Sequence, residues 1–188
     1  MSESSKHRSD PQNTVVYRGE AIVWTDRMLT ALGNGVQGGK WHSLMDKVYA
    51  PKTLVLAWKK VRANKGAAGV DNITIDKFES NALRYLQELH EALKNQHYIP
   101  KPVKRVMIPK ADGGERPLGI PTIKDRIVQM AVKVVLEPIF EHEFSNSSYG
   151  FRPKRSAKDA LREVNNGLRA GQNWVVDADI KGYFDAIF

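Results

Sequence analysis

Residues 174–188 read WVVDADIKGYFDAIF, and the opening seven decide how the end of the chain is to be folded. Trp174, Val176, Ala178 and Ile180 alternate with Val175, Asp177 and Asp179, a period of two that predicts a β-strand with one packed face. Two carboxylates then share the opposite face. An ionised carboxylate held away from water needs a cation, a metal or several donors, so two in one strand point to chemistry. Lys181 and Gly182 make the chain turn next, which puts Asp179 at the C-terminal end of the strand, where a sheet presents its functional groups. Read alone, Asp179 also suits the start of an Asx-type turn, and Asp185 reads as local structure.

The 188 residues are 41% hydrophobic and 27% charged, enough for one domain with a real core. No apolar run approaches the roughly 20 residues of a membrane span, and the N-terminus MSESSKHRSD has no apolar signal region. The chain therefore reads as soluble, unexported and cytoplasmic, with no membrane partner. Cysteine is absent, which excludes disulfides and thiolate metal sites. The net charge is +8, and between Lys101 and Arg162 thirteen basic residues face seven acidic ones, so six of those eight charges fall in one third of the chain. A polyanion is the natural partner, with nucleic acid ahead of a lipid surface because no strongly basic amphipathic helix appears.

Working outward along the chain, residues 1–22 are polar and aperiodic and are expected to be disordered. A helical extension follows over 23–65. Thr25 can cap a short helix ending at Gly33, the segment GNGVQGG connects, and Trp41, Leu44, Met45 and Val48 form one apolar stripe. Pro51 opens a helix carrying Leu54, Trp58 and Val61 and stopping near Asn64. The loop KGAAGVD, residues 65–71, is not a Walker loop, because no GK[ST] follows. Asp76 and Glu79 resemble a capping box, opening a helix with Phe78, Leu86 and Leu93 that runs to about Asn95.

Residues 101–121, KPVKRVMIPKADGGERPLGIP, predict a β-hairpin: two β-prone runs flank Ala111-Asp112-Gly113-Gly114, whose glycines tolerate positive φ. Its prolines keep it short, irregular or at a sheet edge. Lys110 and Arg116 lie close to the turn and suit a triphosphate or a strand backbone. Thr122 and Asp125 cap a long helix with Ile123, Ile127, Met130 and Val134 on one face, and Pro138 is expected to kink or end it near Leu136. Lys124 and Arg126 sit in its first turn, where the helix dipole disfavours cations, which points them toward phosphate. The run SYGFRPKR, 148–155, interleaves Tyr149 and Phe151 with Arg152, Lys154 and Arg155, a mixture suited to stacking on bases while holding phosphates. Ser156 and Asp159 cap the next helix, with Ala157, Leu161, Val164 and Leu168 inward and Gly171 closing it. Lys104, Arg105, Lys124, Arg126, Arg152, Lys154 and Arg155 are the candidate RNA contacts.

In this order and spacing, RVMIPKADGGERPLGIPTIKDRIVQ, SYGFRPKRSAKDAL and VVDADIKGYFD closely resemble the N-terminal half of bacterial group II intron reverse transcriptases, also called intron maturases. The likeness extends upstream through WTDRM, GGKWHSLMDKVY and NKGAAGVD. It implies an α+β fold in which the helical N-terminal extension is followed, over 66–188, by the fingers and the first strand of a right-hand reverse-transcriptase palm. By resemblance, Asp179 is the first of two palm aspartates that hold catalytic Mg²⁺, and the carbonyl of Ile180 is a further metal ligand. Lys110 and Arg116 contact the phosphates of the incoming nucleotide, and Phe184 lies under its sugar. SYGFRP lines the template and nucleotide pocket, and KGAAGVD contacts the RNA template and primer. The implied activity is RNA-directed DNA synthesis in intron splicing and mobility, with intron RNA as template, a DNA or RNA primer and deoxynucleoside triphosphates as partners.

The family's Tyr-x-Asp-Asp turn does not occur in these residues, so the two-ion Mg²⁺ site is expected to be incomplete and the chain, read as a fragment or a degenerate copy, not to polymerise alone. Two other readings follow from the same residues: an RNA-binding module without chemistry, and a reverse transcriptase of another bacterial lineage, CRISPR-associated or defensive.

Overall fold

The computed structural model describes residues 23–33, 44–111 and 113–180. They fall into two compact units, residues 1–142 and 143–188. The fold is α+β, with helices and a single antiparallel hairpin among the described residues.

In the first unit, helix α1 (Asp26–Gly33) starts beside Thr25, whose hydroxyl accepts from the Met28 amide. Helix α2 (Leu44–Tyr49) keeps Val48 buried, and α3 (Pro51–Asn64) begins on the expected proline, which loses nothing where no intrahelical donor is needed. Thr74 rather than Asp76 caps the next helix: its Oγ1 accepts from the Lys77 amide at 3.2 Å. That helix, α4 (Ile75–Glu79), is also shorter than expected, and α5 (Ala82–Lys94) starts anew after Ser80 and Asn81. The break has a local cause. Ser80 Oγ and Asn81 Nδ2 both donate to the Lys77 carbonyl, offering the chain an alternative to continued helix.

The core of this unit is built from Val23, Trp24, α2, α3, α4, α5 and α6 (Ile123–Glu143), and so joins residues before Lys65 to those that follow. Trp58 and Phe78 stack with ring centroids 4.5 Å apart, and Phe78 meets Tyr85 at 5.0 Å, so one aromatic column links three helices. Helix α6 supplies Ile123, Ile127, Ala131, Val134 and Val135 to the same core. It does not stop near Leu136. Pro138 is itself buried on the inner face, and packing there offsets the hydrogen bond its ring removes.

Strands β1 (Lys104–Pro109) and β2 (Glu115–Ile120) pair antiparallel, with Ile108 opposite Arg116 and Lys104 opposite Ile120. The turn is closed by the Lys110 amide donating to the Gly114 carbonyl at 2.7 Å, with Gly113 at a φ of +85°. Val106, Met107 and Leu118 remain exposed, so this ribbon has no buried face.

In the second unit, α7 (Ala157–Arg169) carries the expected capping box between Ser156 and Asp159, and Gly171 follows it at a φ of +89°. Two expectations are corrected here. Leu161, Val164 and Leu168 do not face inward but are exposed, because among the described residues nothing packs on that stripe. The strand predicted over 174–180 does not form: these residues are exposed and carry no regular structure, with Trp174 97% and Val176 92% accessible. A strand exists by pairing its amides and carbonyls with a neighbour, and among the described residues this segment has no ladder partner.

Candidate nucleotide and nucleic-acid interface

The hairpin presents its cations openly. Cross-strand partners share a face, so Arg116 stands on the same side of the ribbon as Ile108, Val106 and Lys104, while Arg105 projects from the other. Lys110 extends the β1 arm into the turn. Lys104, Arg105, Lys110 and Arg116 are all exposed, and none has an ion-pair partner among the described residues. Cations so exposed around one reversal suit a polyphosphate, whose charge they can meet directly.

The cations at the start of α6 are placed differently. Lys124 donates to Glu88 at 2.5 Å, and its ammonium lies 4.7 Å from the Tyr85 ring centroid. The hydrogen bond from Lys124 holds the Glu88 carboxyl below its usual range. Arg126 spends its guanidinium on main-chain oxygens, donating from Nε to the Pro121 carbonyl at 3.1 Å and from the other side to the Ala67 carbonyl. Both therefore have internal partners.

Between them sits Asp125, which sequence reading sees only as a capping residue. It is 5% exposed and accepts from the Tyr98 hydroxyl, the Thr122 hydroxyl at 2.5 Å and the Lys101 amide at 3.4 Å. Thr122 Oγ1 in turn accepts from the Asp125 amide, which closes the cap. The spacing of Thr122 and Asp125 signals the cap; nothing local signals the approach of Tyr98. Burial, and then the hydrogen bond to Asp125, pushes the Tyr98 phenol well above its ordinary value. A raised folded value means stability that is complete below the unfolded phenol's pKa, about 10, and is lost as pH rises through the folded one. Urea midpoints are accordingly expected to fall above about pH 10, and Tyr98→Phe to flatten that fall. An unchanged alkaline slope in the variant would assign the loss to other groups.

In the second unit, Arg152 is the one buried residue among those described, and it ties the 144–152 segment together. Its Nη1 donates to the Ser145 and Ser148 carbonyls at 2.6 and 2.9 Å, and its guanidinium lies 5.2 Å from the Phe144 ring. Arg155 donates to the Asn146 carbonyl and lies over Tyr149 at 5.3 Å. Phe151 and Lys154 both adopt positive φ and both are exposed, so the ring and the ammonium are presented to solvent. Asp179 and Ile180 are exposed, as is Asp177. Phe184 lies outside the described residues.

The oxygen donors of Asp179 and Ile180 are of the hard kind that Mg²⁺ prefers, but one carboxylate does not make its site. Among the described residues no group of three or more His, Cys, Asp or Glu side chains could hold a metal ion, so the described residues do not by themselves fit a two-ion centre.

Comparison with known proteins bears on this arrangement directly. Residues 108–188 match the family "Reverse transcriptase (RNA-dependent DNA polymerase)". The chain is 40% identical over 150 residues to Protein YkfC of Escherichia coli (strain K12), covering 77% of this chain and 39% of that one. It is 39% identical over 140 residues to the group II intron-encoded protein LtrA of Lactococcus lactis subsp. cremoris, covering 73% and 23% respectively. An uncharacterized 91 kDa protein in the cob intron of Schizosaccharomyces pombe is 34% identical over 133 residues, 71% of this chain and 16% of its own. The hairpin turn with its second strand, the SYGFRP segment and the aspartate stretch all fall within the residues that match the reverse transcriptase family. Within that class the chain is similar to group II intron-encoded proteins over most of its own length, and it spans well under half the length of the relatives it matches. No helix among the described residues is long and apolar enough to cross a membrane.

Proposed function

We propose that this chain serves RNA-directed DNA synthesis by a group II intron, with residues 66–188 as the reverse transcriptase domain and 23–65 as a helical extension. The observation that carries the reading is the hairpin: Lys110 and Arg116 stand exposed around one tight turn, with no ion-pair partner among the described residues, inside the stretch that matches the polymerase family. Their role is to grip the phosphates of an incoming deoxynucleoside triphosphate. Phe184 would lie under its sugar. Lys104, Arg105, Lys154 and the exposed ring of Phe151 are free to meet the RNA template and the primer, whereas Lys124, Arg126, Arg152 and Arg155 would have to share or exchange their present partners to do so. Asp179 and the Ile180 carbonyl would contribute to Mg²⁺ binding, with the remaining donors coming from outside the described residues.

Triphosphate binding tests this on the protein itself. The double variant Lys110→Ala/Arg116→Ala is expected to weaken deoxynucleoside triphosphate binding by about 10-fold or more, since each charge-assisted contact contributes on the order of 1 kcal/mol, with nucleoside binding little changed. Equal triphosphate affinity in wild type and variant would overturn the assignment. In primer extension on an RNA template with Mg²⁺, incorporation that survives Asp179→Ala would remove that residue from the chemistry.

The concentration of positive charge between Lys101 and Arg162 favours a second reading, RNA binding without chemistry. It predicts intact, salt-sensitive RNA affinity in the hairpin double variant.

A further inference from the structure

The described residues hold a groove of about 280 Å³ between the end of α3 and the outer face of α6, adjoining the glycine loop 65–71. Its floor is Val61 and Met130, and Lys65, Arg126 and Lys133 stand around it. Lys133 pairs with Glu137 at 3.3 Å, so the local balance stays positive even with that acid counted. An apolar floor under a cationic rim suits a polynucleotide, whose sugars lie on the floor while its phosphates meet the rim lysines.

Lys65 is the loop residue that lines this groove, and two contacts hold the rest of the loop beside it. Gly69 is buried against the start of α6, so closely that a Cβ there would lie 2.8 Å from the Thr122 Cα. Lys65 and Gly66 both have positive φ, at 55° and 111°, and this pair turns the chain so that the Ala67 carbonyl meets Arg126. The guanidinium bridges that carbonyl and the one at Pro121, joining loop to helix start. A planar fork can serve two carbonyls at once, whereas a lysine ammonium is a single point on a flexible stem.

We infer that Arg126 is a positioning residue: it fixes the 65–71 loop, and with it Lys65, beside a groove that takes a phosphodiester backbone, and does so through main-chain carbonyls rather than as a phosphate contact. Lys65, exposed and without an ion-pair partner among the described residues, is then the loop's own phosphate contact. This deepens the nucleic-acid reading above and rests on it for the polynucleotide, but the state of the loop can be measured without one.

Hydrogen exchange and binding to an RNA–DNA template–primer duplex separate the roles. In the free protein, Arg126→Lys is expected to speed exchange of the 66–69 amides about 10-fold or more while the amides of α5 keep their rates. The same variant should bind the duplex about tenfold more weakly with an unchanged slope of log K against log salt, because no phosphate contact has been removed. Gly66→Ala, strained at its positive φ, should reproduce both effects with the arginine intact, while Lys65→Ala should reduce the salt slope by about one with loop exchange unaltered. A slope that falls in Arg126→Lys without faster loop exchange would make Arg126 a direct phosphate contact and overturn the inference. Faster exchange with unchanged affinity would also overturn it, leaving a purely structural clamp, and so would a variant that changes neither. If wild type itself bound no duplex, the nucleic-acid reading would fail while the exchange result still reported on the clamp.

Discussion

Asp125→Ala is expected to lower the free energy of unfolding by about 3 kcal/mol, among the largest losses any single polar residue here can cause. The carboxylate is buried and collects the Tyr98 hydroxyl, the Thr122 hydroxyl and the Lys101 amide. Alanine leaves those donors facing a space that no acceptor fills, and each stranded donor costs on the order of 1 kcal/mol or more. It also removes negative charge from the first turn of α6, where the helix dipole favours it. Asp125→Asn keeps the shape and one acceptor oxygen, and should cost less than alanine. Urea denaturation of the two variants, read through the midpoint at constant slope, measures the difference. A loss under about 1 kcal/mol for alanine would show that Tyr98 and Lys101 find solvent readily. That would loosen the whole approach to the hairpin, because residues 98–103 are the lead-in to β1 and Asp125 is their anchor.

That anchor shows how the sequence divides into what can be read and what cannot. The hairpin is legible because Ala111-Asp112-Gly113-Gly114 specifies its own turn, and the caps at Thr122 and Ser156 because three-residue spacing is a local signal. Pro51 marks the start of α3 for the same reason. Expectations fail where a second element decides. Pro138 stays in its helix because the core covers it, and the stripe on α7 stays exposed because nothing described packs there. The alternation over 174–180 is a property of side chains, while a strand is a property of paired backbones. Among the candidate site residues, the exposed cations of the hairpin could be located from the turn alone. Lys124 and Arg126 could not be sorted from them, because Glu88 and Ala67, their partners, are 36 and 59 residues away in the chain.

Gly69→Ala is the second substitution with a large expected effect, about 2 kcal/mol of lost stability, although it adds one methyl group. The added Cβ would lie 2.8 Å from both the Thr122 amide nitrogen and Cα, and 3.0 Å from the Pro121 carbonyl carbon. These are backbone atoms at the start of a helix, so no side-chain rotation relieves the overlap; either the loop or the helix start must move. Gly66 makes a useful contrast, since its added Cβ would meet only the flexible tip of Arg126, at 3.1 Å, and its cost comes instead from a φ of +111°. Moving Thr122 disturbs the cap that Asp125 completes, and this yields a sharper test than either variant alone. Asp125→Ala and Gly69→Ala act on the same joint, so the double variant should lose less than the sum of the single losses, by about 0.5 kcal/mol or more. Strict additivity would mean that the glycine loop and the carboxylate hold α6 independently. Sub-additivity would identify residues 121–125 as the one joint through which loop, hairpin lead-in and helix are set.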